Sequence, residues 1–145
     1  MSSSKLVDAT PTPDGMAPPP TTTDEGHALV APSTYLHYHE YGSRTAKHKV
    51  ICIMGFNLSK DNWQDLIRAL FSHPNPDLHV VTFDNRGIGK SYFHADALGR
   101  KQRGTRFTTS MMADDTLALM SHLGWDTAHV IGVRYDSMCD CMVLL

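Results

Sequence analysis

Phe83-Asp84-Asn85-Arg86-Gly87-Ile88-Gly89-Lys90-Ser91 is the stretch whose reading decides the fold. It follows directly on the run Leu78-His79-Val80-Val81-Thr82-Phe83, short and β-branched enough to be a core strand, so a strand feeds a turn rich in glycine. Gly89-Lys90-Ser91 supplies the end of a phosphate-cradling loop, but the first glycine of that motif should stand five residues before Gly89, where the chain has Asp84. A carboxylate there would repel the phosphates that such a loop holds. The segment around Ala97-Leu98-Gly99-Arg100 also lacks a helical stripe to aim a dipole at them. Nucleotide binding is therefore set aside, and the turn needs another explanation.

Working outward, Val50-Ile51-Cys52-Ile53-Met54 is a continuous apolar run closed by Gly55, the pattern of a strand buried on both faces and hence of a parallel sheet centre. Ser59 or Asp61 can cap a helix whose apolar residues Trp63, Leu66, Ile67, Leu70 and Phe71 form one stripe, stopped by Pro74 and Pro76. After a loop from Asp84 to about Arg106, Thr108 caps a second helix. It turns Met112, Leu119, Met120 and Leu123 inward, with Gly124 placed for the left-handed position beyond its end. Ala128-His129-Val130-Ile131-Gly132-Val133 is a third core strand. Strand, helix, strand, helix, strand implies right-handed crossovers in an open, mostly parallel α/β sheet with helices on both faces. Ahead of this core, Tyr35-Leu36-His37-Tyr38-His39-Glu40-Tyr41 reads as a strand ending at Gly42. His37 and His39 share one of its faces, which is metal-ligand geometry in principle. No third ligand stands at useful spacing, so they are read as half-exposed strand histidines and no metal site is expected.

Composition bounds the function. With 145 residues, 41% of them hydrophobic and 19% charged, the chain has room for one globular domain, and a net charge of -2 offers no basic field for nucleic acid. The cysteines are Cys52, Cys139 and Cys141, an odd count without a framework, which suits a reducing compartment. Residues 1–32, with Pro18-Pro19-Pro20 and Thr21-Thr22-Thr23, are too poor in apolar residues to repay ordering and read as a disordered leader. A transit peptide is the alternative, opposed by the absence of arginine and the presence of Asp8, Asp14, Asp24 and Glu25. No apolar stretch follows the N-terminus, none reaches the roughly 18 residues of a membrane span, and Cys141 is one place too early for a prenylation box. A cytoplasmic chain without a membrane partner is the expectation.

The turn from Asp84 to Ser91 closely resembles the D-x-R-G-x-G-x-S turn that follows a core strand in the α/β-hydrolase family. Met54-Gly55-Phe56 resembles that family's H-G-x segment, with methionine in place of histidine. Trp63 stands where an aromatic is common, Phe107 to Trp125 resembles the next helix, and His129 to Val133 the strand entering the nucleophile elbow. The likeness covers about residues 35–133 and defines residues 33–133 as the N-terminal half of such a domain. It implies hydrolysis of small ester-like or epoxide substrates by the full-length relatives, with no cofactor and no metal. It also implies an oxyanion-hole donor in the amide of Phe56, a substrate pocket at Gly55, Phe56 and Asn57, and a structural turn of Asp84, Arg86, Gly87, Gly89 and Ser91 in which Asp84 and Arg86 pair. For Gly55 a plain strand-end turn is the alternative.

The pattern then fails. Where the elbow should read G-x-S-x-G, the chain reads Gly132-Val133-Arg134-Tyr135-Asp136, so the nucleophile position holds Arg134 and the second glycine is Asp136. A guanidinium stays protonated and cannot attack a carbonyl. Ser137 would need a shifted register, and Cys139 and Cys141 have no glycine-flanked setting. Only twelve residues follow Val133, leaving no place for the acid and histidine that the family takes after the elbow. The expectation is a truncated, catalytically incompetent hydrolase with an atypical tail at 134–145; the alternatives are a divergent tail and a non-catalytic binding or regulatory module keeping part of the pocket. The strand 129–133 would be left as an open edge, inviting self-association.

Overall fold

Among the described residues, six strands and two helices follow one another as β1 (Asp24–Ala31), β2 (Thr34–Gly42), β3 (His48–Ile53), α1 (Gln64–Phe71), β4 (Leu78–Phe83), β5 (Tyr92–Phe93), α2 (Thr109–His122) and β6 (His129–Gly132). The computed structural model describes residues 21–55, 57–73, 76–93 and 107–133. The strands form one sheet in the order β1-β2-β4-β3-β6, with β5 also paired to β2. The sheet is mixed. β3 runs parallel to both β4 and β6, as the apolar runs require, whereas β1, β4 and β5 all pair antiparallel to β2.

Two segments differ from their sequence reading. Residues 24–31, expected in the leader, form β1 and pair with β2 from Asp24↔Glu40 to Ala31↔Thr34. Only Ala28 of β1 is fully buried, so its pattern is too polar to read as a strand; neighbouring backbone, not its own apolar content, orders it. Within the expected loop, Tyr92 and Phe93 pair with Tyr35 and Thr34 as β5. The loop's remainder and residues 1–20 lie outside the described residues.

The faces follow from connectivity. The crossover from β3 to β4 runs one way along the sheet and that from β4 to β6 runs back over β3, so right-handed connections place α1 and α2 on opposite faces. On the α1 face, Trp63 and Ile67 pack with Tyr41, Val50, Cys52 and Val80; on the α2 face, Leu119 and Trp125 pack with Ala28, Leu36, Ile51, Val81 and Phe83. The alternation Val50/Cys52 against Ile51, and Val80 against Val81/Phe83, is the period of two that a sheet covered on both sides demands. A single 3₁₀ turn, Lys60–Trp63, leads into α1 from Ser59, whose Oγ accepts from the Asp61 amide at 3.4 Å. Thr108 Oγ1 accepts from the Met111 amide at 3.2 Å, and Gly124, at φ 70°, ends α2.

Candidate active site

The turn after β4 is built around the Asp84 carboxylate, which is buried completely. Its Oδ1 accepts from the Lys60 amide at 2.8 Å; its Oδ2 accepts from the Lys60 ammonium at 3.1 Å and the Lys90 amide at 3.0 Å. Burial raises its pKa, but the two amides and the Lys60 ammonium outweigh this and hold the carboxyl below its usual range. Lys60 is itself 2% exposed, so the pair ties the end of β4 to the start of the 3₁₀ turn. Ser91 completes the frame: its hydroxyl donates to the Asp84 carbonyl and accepts from the His37 amide at 2.8 Å. Gly89 sits at φ 54° with its α-carbon against Asp84, where an added Cβ would collide with the carboxylate; Gly87 has φ 74°.

Arg86 does not pair with Asp84 as the sequence reading expects. Its guanidinium reaches α2 and donates from Nε and Nη2 to both oxygens of Asp115, with Nε at 2.6 Å. The correction is geometric. Lys60 and backbone amides already occupy Asp84, so Arg86 serves the other face. The sequence carried a signal for this: Asp115 stands between Met112 and Leu119 on the inward stripe, and a carboxylate buried there needs a cationic partner. Lys60 had no such signal, because a lysine at a helix start looks solvated.

The chain leaves the C-terminal ends of the adjacent strands β3 and β4 toward opposite faces, and in open α/β sheets such a crevice is where ligands bind. A cavity of about 150 Å³ lies there, lined by Asn57, Asn85, Arg86, Ile88, Phe107 and Met112. Asn57 is held at φ 64°, and Asn85 Nδ2 donates to the Met54 carbonyl at 2.6 Å, locking the end of β3 to the turn. Of the expected pocket residues, Asn57 lines the cavity, Gly55 stands two residues before it, and Phe56, the expected oxyanion donor, lies outside the described residues, as does Arg134. A larger cavity, about 360 Å³, opens near Lys49, His79 and Trp125, at the opposite ends of β3 and β4. It surrounds the buried pair in which His79 Nε2 meets Glu40 Oε2 at 2.7 Å, with Arg44 on the same carboxylate. That end of the sheet presents no family turn, so the smaller cavity is the candidate site.

His37 and His39 are less exposed than expected, with side chains 4% and 15% accessible. Burial, then Lys60, drives the pKa of His37 down to about 4 and lowers that of His39. The donor missing from the sequence comes from β1: Glu25, His37 and His39 bring one ligand atom each to within 4.8 Å of one another. Cys52 lies on the same sheet face, and burial pushes its thiol up to about 12. Among the described residues no helix is long and apolar enough to cross a membrane.

The strand order, the crevice and the Asp84 turn together define the front of an α/β hydrolase, and a profile of the alpha/beta hydrolase fold matches residues 49–133, more than half of the chain. The chain belongs to the α/β-hydrolase fold family. Over 98 residues it is 33% identical to a Caulobacter vibrioides protein named as a carbamate hydrolase, RutD; the match covers 67% of this chain and 32% of that protein. The chain thus spans about a third of the length of that relative. Among solved structures, the α/β hydrolase fold protein from Chitinophaga pinensis superposes with a TM-score of 0.61 at 22% identity, covering 81% of this chain and 37% of the other. The epoxide hydrolase CorEH does so with a TM-score of 0.57 at 28% identity, covering 75% and 32%.

Proposed function

We propose that these 145 residues present the small-molecule pocket of a hydrolase and hold an ester-like or carbamate-like ligand there without cleaving it. The observation that carries the reading is Arg134 at the nucleophile position. An arginine has no lone pair to give a carbonyl, and Asp136, in place of the second elbow glycine, puts a Cβ where the family's sharp turn has none. Binding without turnover fits the crevice: Ile88, Phe107 and Met112 supply apolar wall, while Asn57, Asn85 and Arg86 supply polar groups to orient a carbonyl. Names given to relatives supply the ligand class, an acyl or carbamoyl compound of small size.

The test is methyl NMR of the purified chain with phenyl acetate, alongside assay of acetate release. Shifts confined to Ile88, Met112 and their neighbours, with release no faster than in buffer, are expected. Saturable release that survives Arg134→Ala and disappears with Ser137→Ala would overturn the reading, as would unshifted Ile88 and Met112 methyls.

A further inference from the structure

We propose that Glu25 of β1 and His37 and His39 of β2 form a binding site for a divalent transition cation of the zinc class, clipping the edge strand to the sheet. The register brings the three together. Glu25 is the direct cross-strand partner of His39, and His37 lies two residues along the same face, opposite His27. Glu25 Oε2 stands 3.0 Å from His39 Nε2 and 3.8 Å from His37 Nε2. Ligand atoms around tetrahedral zinc, at bonds of about 2.0–2.2 Å, are separated by roughly 3.3–3.5 Å; the two spacings to Glu25 bracket that requirement, and the three ligand atoms, within 4.8 Å of one another, would close slightly on a bound ion. Two imidazoles and one carboxylate are a donor set that zinc accepts, with a fourth position left to water.

A plain ion pair accounts less well for the arrangement. His39 Nε2 is buried and makes no well-aligned hydrogen bond, although the carboxylate oxygen is 3.0 Å away. Both atoms are instead placed to share a third. His27, the other candidate donor on this face, has its Nε2 against the Lys90 carbonyl at 3.2 Å, which leaves Glu25 as the third ligand. The carboxylate side chain is 58% accessible, so a cation has an entry path and the flexible ligand can close on it. Lys60 is the adverse charge nearby, and it is matched by Asp84 at 3.1 Å and Asp61 at 3.7 Å. On the far side of His37, Nδ1 faces the Asp84 carboxylate at 4.0 Å, the side on which metal-bound histidines commonly meet an acidic partner.

The experiment is calorimetric titration of the 145-residue chain with zinc chloride at neutral pH, in a Cys139→Ser, Cys141→Ser background that removes competing tail thiols. One zinc per chain is expected, with a rise in Tm. Glu25→Gln and His39→Ala, each checked by circular dichroism for an unchanged fold, should weaken binding by about tenfold or more and cancel the Tm rise. His73→Ala, an exposed histidine elsewhere, should leave both unchanged. Absence of saturable uptake by the parent chain, or uptake of equal affinity in Glu25→Gln and His39→Ala, would overturn the assignment. Because His37 is buried, its replacement is not used as the deciding variant.

Discussion

Asp84 is the buried carboxylate that ties this turn together, because it pairs with the buried Lys60 ammonium at 3.1 Å while capping two amides. Replacing it with asparagine leaves that ammonium only the exposed Asp61, at 3.7 Å, as countercharge, so Asp84→Asn should lose about 3 kcal/mol of unfolding free energy, measured by urea denaturation. Cys52 gives a prediction in pH. Burial pushes its pKa in the folded chain up to about 12, whereas its ordinary value is 9.0. The folded pKa is the raised one, so this residue's contribution to stability is complete below pH 9.0 and is lost as pH climbs from there toward 12. A Cys52→Ala chain should lose stability less steeply over that alkaline range, and alkylation of Cys52 should follow global unfolding. At this scale the sequence was partly legible. Gly87 and Gly89 could be recognised as turn residues from their place after a core strand and from the family resemblance. The inward position of Asp115 signalled that it needs a cation, but which cation reaches which carboxylate depends on the faces to which the crossovers carry Lys60 and Asp115.

Elements were legible in proportion to their apolar content. The runs Val50–Met54 and Leu78–Phe83 and the stripe of Trp63, Ile67 and Leu70 announce β3, β4 and α1, since each must bury its own hydrophobic surface. β1 announces nothing of the kind. Its Asp24, Glu25, His27 and Leu29 are exposed and Ala28 alone is buried, and it is a strand because β2 offers an edge to pair with. Missing β1 also meant missing Glu25, so the candidate cation site was invisible even though His37 and His39 were recognised as neighbours. The bidentate Arg86–Asp115 pair makes a prediction about an element: it bolts the turn after β4 onto α2. Asp115→Ala should cost about 2 kcal/mol, the order of a charged hydrogen-bonded contact. It should also raise amide exchange across the first half of α2 more than in β3 or β4.

For the whole molecule, the family turn, the strand order and the profile match agree, and the fold was legible from residues 50–133 alone. What the sequence could not place was the balance of the sheet, since antiparallel pairing by β1, β2 and β5 depends on tertiary neighbours. Among the described residues β6 is paired only to β3, leaving a second edge unpaired. Edges of this kind recruit other strands, so the chain is expected to self-associate as its concentration rises, read as a growing mass in light scattering; a constant monomer mass would remove the edge from consideration. We propose that in this hydrolase fold the nucleophile position holds Arg134. Restoring serine there leaves Asp136 where the elbow motif calls for glycine, so Arg134→Ser is expected to remain unreactive. The most direct measurement is incubation of the chain with a fluorophosphonate serine-hydrolase probe, followed by intact-protein mass spectrometry. The account predicts an unmodified mass; a stoichiometric phosphonyl adduct mapped to Ser137, or to any other serine, would contradict it.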